Sequence, residues 1–323
     1  MRVITLEEHF WTDALTDALT EANRAALAMP RLGALADDLR DLGERRLADM
    51  DAAGIDVQVL SVAPPAAQVL EPGPAVRLAR AANDQLAEAV GQHPDRFAGF
   101  ATLPTPDPDA AAAELERTVT EHGFKGAMIN GHTDGRFLDD EKFWPIFERA
   151  EALGVPVYLH PTYPTAQAME VYYQGFDDQV SATLATSGWG WHAETGLHVL
   201  RIILGGVFDR FPGLQMIIGH MGEALPFLLA RSSRVLRQQA GLTRPLEDYM
   251  AANCHFTTSG MFTYPPLTCL LEVVGADRVM FSVDYPYSSN AEGREFVLGA
   301  PISEADREKV GFANAARLLG LGS

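Results

Sequence analysis

Four apolar runs, scattered along the chain, each end on a residue able to hold a metal ion or a proton. Val3-Ile4-Thr5-Leu6 leads into Glu7, with His9 two residues further on. Val155-Pro156-Val157-Tyr158-Leu159 leads into His160, and Leu214-Gln215-Met216-Ile217-Ile218-Gly219 leads into His220. Val279-Met280-Phe281-Ser282-Val283 leads into Asp284. Short runs of this kind read as parallel strands buried on both faces. Side chains alternate along a strand, so Glu7 and His9 face one way and Glu8 the other. Two imidazoles and two carboxylates (Glu7, His9, His160 and Asp284) suit one divalent ion such as zinc or manganese. A lone Glu-x-His is ordinarily a solvated strand end. Four such ends on four apolar runs point to one shared site.

The pattern recurs along all 323 residues. Strands are expected at 3–7, 56–61, 97–102, 125–130, 155–160, 215–220, 254–259 and 279–284. Helical patterns fall at 41–53, 74–92, 108–122, 140–153, 192–204, 222–240 and 303–319. Strand then helix, recurring along the chain, predicts an α/β chain folded as a (β/α)8 TIM barrel, with polar strand ends at its C-terminal mouth. No Ser/Gly linker divides the sequence, so one domain over 1–323 is expected. Segments 10–40 and 161–191 read as insertions over the mouth. The first carries Trp11, Met29 and Pro30; the second carries Tyr163, Tyr172, Tyr173, Phe176, Trp189 and Trp191. Loops after barrel strands build substrate pockets, so substrate contact is expected there.

Composition narrows the function. A net charge of −18 argues against nucleic acid, which clustered Lys and Arg would bind. Two cysteines, Cys254 and Cys269, make no disulfide framework and read as reduced thiols. The sequence opens into a strand with no basic-then-apolar leader, and no stretch is long enough to span a bilayer. A cytoplasmic enzyme without membrane attachment is expected.

His220 lies in Gly219-His220-Met221-Gly222-Glu223. Glu223, expected on the first turn of the following helix, is spaced to hold the imidazole through its far nitrogen. An acid–base role for His220 follows. The fourth strand ends at Asn130, and Lys125 stands at its wrong end, so no residue there bridges a second ion. One metal is expected. Asn130 and Arg231 are candidates to grip substrate hydroxyl or carboxylate groups.

These stretches, with Asn83-Asp84, Pro94-Asp95-Arg96-Phe97, Leu159-His160-Pro161, Gly206-Val207-Phe208-Asp209-Arg210-Phe211-Pro212, Thr257-Thr258-Ser259-Gly260 and Asp284-Tyr285-Pro286, resemble the amidohydrolase-related decarboxylase family. That group contains aminocarboxymuconate-semialdehyde decarboxylase; the closer likeness is to γ-resorcylate and 2,3-dihydroxybenzoate decarboxylases. The resemblance implies a distorted barrel, a homodimer or homotetramer, and one divalent metal on Glu7, His9, His160 and Asp284. It implies that His220, supported by Glu223, works beside Asp284. It also implies that Asn130 and Arg231 contact an aromatic acid and that Tyr287 lines its ring pocket. The sequence departs from the family's usual residues at Thr162-Tyr163-Pro164, Ala230-Arg231-Ser232-Ser233 and Ser288, all around the substrate. The activity expected is metal-dependent decarboxylation of an ortho-hydroxylated aromatic acid. A hydrolase using metal-bound water, or a silent barrel, remain the other readings.

Overall fold

The computed structural model describes residues 1–21 and 35–322. Met29 and Pro30 of the first insertion lie outside them. Among the described residues nine strands are present: β1 (Ile4–Phe10), β2 (Val57–Val62), β3 (Phe97–Gly99), β4 (Ala101–Thr102), β5 (Ala127–Asn130), β6 (Val157–His160), β7 (Met216–Ile218), β8 (Cys254–Thr257) and β9 (Val279–Met280). All pair in parallel, in the order β1-β2-β3 and β4 through β9. The run expected as one strand at 97–102 is split at Phe100. Phe100 N–H donates to Leu60 O at 2.9 Å, and Ala101 N–H donates to Gly126 O at 2.9 Å. One extended segment thus serves both sheets, turning from β2 toward β5.

β1 meets the segment just after β9 through an isolated parallel bridge between Leu6 and Ser282, beside an N–H···O bond from His9 to Tyr285 of 2.7 Å. A side chain reinforces this seam. Glu8, turned away from the axis by a bulge between Thr5 and Glu8, is fully buried. Its carboxylate accepts from Val283 N–H at 2.9 Å and Tyr285 N–H at 3.0 Å. Burial pushes its pKa up to about 8 against the pull of those two donors.

Alternation sorts the core into two layers. Ile4, Leu6, Val59, Phe100, Met128, Tyr158, Ile217 and Met280 pack inside the ring of strands, closed below by Ala315 and Leu319 of the last helix, Asn314–Leu319. The alternate residues, such as Leu60, Ile129, Leu159, Ile218 and Phe256, face the surrounding helices. Helices follow the strands largely where expected, including Pro72–Gln92, Pro108–His122 and Trp144–Leu153. Among the described residues no helix is long and apolar enough to cross a membrane.

One boundary differs in a way that matters. The helix expected from 222 begins at Leu225, so Glu223 precedes it. Residues His220, Met221, Gly222, Glu223 and Ala224 all have positive φ, from 46 to 84°. This left-handed turn stops short of Pro226, which sits in the first turn of helix Leu225–Ala240, where proline is tolerated.

Candidate metal centre and its acid–base pair

β1 carries the first two donors. An extra residue bulges the strand between Thr5 and Glu8, and Glu7 takes φ 64°. The kink aims the Glu7 carboxylate across the barrel. Its Oε2 accepts from Tyr158 OH and Ser259 Oγ. Thr257 Oγ1 ties those two hydroxyls together, at 2.6 and 2.7 Å. Glu7 Oε1 has no hydrogen-bond partner and lies 3.1 Å from His160 Nε2. His160 Nδ1 is 2.7 Å from Pro161 O. A carbonyl only accepts, so the proton sits on Nδ1 and Nε2 offers its lone pair. His9 Nε2 is also without a partner, 3.3 Å from Asp284 Oδ1.

One ligand atom from each of Glu7, His9, His160 and Asp284 lies within 4.8 Å of the others. Donors about 2.0–2.2 Å from one ion sit roughly 3–4 Å apart, and the 3.1 and 3.3 Å pairs fall in that range. Electrostatics agree. Burial opposes charge on Glu7, yet the facing imidazoles of His220, His160 and His9 hold its carboxyl well below the usual range. Burial pushes His9 down, toward the neutral form a metal requires, against the pull of Asp284. Buried, ligand-competent atoms without partners are what a bound cation would satisfy.

The second constellation adjoins the first. His220 Nδ1 is 2.7 Å from Glu223 Oε1, and its Nε2 is 3.7 Å from Glu7 Oε1. Burial disfavours the charged ring, but Glu223 and Glu7 outweigh it and push His220 up to about 10. The other oxygen of Glu223 lies 2.6 Å from Nδ1 of His192. Burial raises Glu223, but the charge of His220 and the hydrogen bonds from both imidazoles bring it below the usual carboxylate range.

Above the donors opens a cavity of about 410 Å³, with His160 and Asp284 at its floor. Tyr163, Trp191 and Tyr287 form aromatic walls, with Leu35 and Pro64 beside them. Thr186, Ser187 and Ser288 add hydroxyls. Wider hollows along helices Asp178–Ala185 and Leu225–Ala240 contain none of the donors.

The expected residues are thus largely brought together, with exceptions. Tyr287 lines the cavity, its ring 5.8 Å from that of His9. Asn130 is buried at the end of β5 with both side-chain polar atoms unpaired, its backbone held by Gln68. Arg231 is not brought in. Leu225, Leu229 and Ser233 turn inward at four-residue spacing, which leaves Arg231 exposed on the opposite face. The second insertion divides likewise: Tyr163 and Trp191 line the cavity, while Tyr172, Phe176 and Trp189 are exposed. Sequence reasoning missed Tyr158, Ser259 and His192. Tyr158 was within reach of the alternation rule, standing two residues before His160 on one strand. His192 carries no such signal.

The sequence pattern of the family described as Amidohydrolase matches residues 7–321. The chain belongs to the amidohydrolase family. Within it, this amidohydrolase is 41% identical to Decarboxylase orsB of Emericella nidulans, over 98% of this chain and 96% of that one. It is 38% identical to a γ-resorcylate decarboxylase of Polaromonas sp., over 98% of both chains. It is also similar to the crystal structure of a dihydroxybenzoic acid decarboxylase from Polaromonas sp. JS666 with bound manganese and the inhibitor 2-nitroresorcinol. That likeness has a TM-score of 0.89 at 37% identity, covering 99% of this chain and 97% of that one.

Proposed function

We propose that this amidohydrolase is a metal-dependent, non-oxidative decarboxylase of an ortho-hydroxylated aromatic acid, working as one barrel domain over 1–323. The observation that carries the reading is the pair of orphaned atoms, Glu7 Oε1 and His9 Nε2, beside Asp284 beneath an aromatic-walled cavity. Glu7, His9, His160 and Asp284 would hold one divalent ion. Their mixed oxygen and nitrogen donors suit manganese as well as zinc, and the manganese in the similar decarboxylase favours the former. When bound, the ion supplies a fixed positive charge that favours the ionised ortho hydroxyl.

The chain's own residues do the rest. Tyr163, Trp191 and Tyr287 hold the ring flat against the donors. Direct loss of CO2 would leave an unstabilised aryl anion, so the carboxyl-bearing carbon is protonated first, the ortho oxygen feeding electrons into the ring. Asp284, which lines the cavity, protonated in the complex, or His220 through it, delivers the proton. His220, held by Glu223, stands behind it as the charged partner. Cleavage of the C–C bond releases CO2, and its electron pair restores aromaticity. Asn130 and Tyr287 are assigned to substrate contact; Arg231 is assigned none within one chain.

Exposed Val171, Tyr172, Phe176, Trp189 and Phe227 support a homo-oligomer, dimer or tetramer, that covers them. Free Cys254 and Cys269 fit the reducing cytoplasm. The test is CO2 release by manganese-loaded protein from a panel of ortho-hydroxybenzoates. Release that stops on chelation supports the reading. No release with metal bound, and new carboxylate formed from lactones or amides, replaces it with a hydrolase.

A further inference from the structure

His192 opens helix Gly190–Leu204 next to Trp191, whose buried indole N–H has no partner. Its ring spans two unlike structures. Nε2 lies 3.1 Å from Ser187 O, in the loop that lines the cavity through Thr186, Ser187 and Trp191. Nδ1 lies 2.6 Å from Glu223 Oε2, while Glu223 Oε1 holds His220 at 2.7 Å. The carbonyl can only accept, so Nε2 carries a proton. Glu223 is buried between two imidazoles, an environment that keeps it a carboxylate, which also only accepts. His192 thus meets an acceptor at each ring nitrogen. Its ring centroid is 5.0 Å from that of His220, so a tilt of one ring disturbs the other.

We propose that His192 is a positioning residue that couples the substrate wall to the acid–base pair, fixing the 186–191 loop against Glu223. Seating a ring against the wall and aiming His220 then become one event. In its kinetic consequence this rests on the decarboxylase reading; in its structural consequence it does not.

Two substitutions separate the bonds. His192→Asn keeps an amide donor near the place of Nδ1 and loses the tie to Ser187. His192→Gln keeps a donor near the place of Nε2 and loses the tie to Glu223. With manganese-loaded protein and a substrate that releases CO2, H192N raises KM about tenfold with kcat within about threefold. H192Q lowers kcat about 10–100-fold with a smaller change in KM. A merely structural histidine would give both variants the same profile, and that result overturns the proposal. A second readout needs no turnover. The amides of Gly188, Trp189 and Trp191 bond to Thr183 O and Thr186 O inside the loop. Their hydrogen exchange should quicken in H192N and stay near wild type in H192Q. If wild type releases no CO2, the decarboxylase reading fails and exchange alone decides. Equal exchange in all three proteins then refutes the coupling.

Discussion

Tyr158→Phe is the sharpest probe of how the fold prepares the metal centre. Tyr158 is fully buried in the barrel interior, its ring 6.0 Å from Phe100, and Phe preserves that packing. What disappears is one hydroxyl, which donates to Glu7 Oε2 and leaves Oε1 bare toward His160. Burial, reinforced by the Glu7 charge, keeps this phenol protonated well above its ordinary range, so it acts as a donor at every usable pH. A hydrogen bond to a charged group contributes about 1.5–3 kcal/mol. Ser259 Oγ still donates to the same oxygen, which argues for the lower half of that interval. Loss of such an orienting partner costs roughly 10–100-fold in metal affinity; a loss of about 1.5–2 kcal/mol corresponds to about 10–30-fold. Manganese affinity, measured by chelator competition on the refolded and the native variant alike, should fall by that factor with the far-ultraviolet spectrum unchanged. Unaltered affinity would mean that the hydroxyls around Oε2 do not orient Glu7, and the second half of the site argument would go with it.

Three further outcomes are expected. Asp284→Asn keeps the fold, since the residue sits at the cavity floor rather than in the core, and lowers CO2 release at least about 10³-fold; residual activity within tenfold would remove Asp284 from proton delivery. Glu8→Ala orphans two buried N–H groups at the barrel seam and should cost about 2–5 kcal/mol in urea unfolding, whereas a loss under 1 kcal/mol would show that the strands close without it. His198 and His255 are buried neutral, burial being the main cause, with nearby positive groups helping to push each down to about 3. Their unfolded forms take up protons below about 6.5 while the folded forms do not. Stability therefore falls as pH drops from about 6.5 to 3, by roughly 1.4 kcal/mol per pH unit for each ring; a double substitution to Gln should flatten that slope, and an unchanged slope would refute the assignment.

The barrel was legible because its signal is repeated. Each strand end announces itself by an apolar run followed by a polar residue, and the parallel order follows from the helices between. Glu7, His9, His160 and Asp284 were legible for the same reason: position at a strand end is nearly enough to place a side chain at the mouth. Arg231 and His192 mark where that reasoning stops. Both lie beyond the strands, and Arg231 depends on the rotation of a helix whose start the sequence misplaced by three residues. Moving that start from 222 to Leu225 rotates everything after it, and Arg231 turns to solvent. His192 reaches Glu223 across 31 residues through the fold of an insertion, and no local period encodes such a contact.

The misplacement itself has a cause tied to function. Glu7, His220, Glu223 and Asp284 all hold positive φ, at 64, 46, 55 and 68°. Residues with a Cβ avoid that region at a cost of roughly 1–2 kcal/mol each, so a reading based on ordinary propensity starts the helix at 222, inside the turn. Such residues persist only where their surroundings over-determine them. Here they are the members of one network: Glu7 pinned by Tyr158 and Ser259, His220 and Glu223 pinned to each other, and Glu223 to His192. The network fixes the side chains, and the side chains hold the backbone where propensity would not put it. Local rules fail at these four positions because the site overrides them.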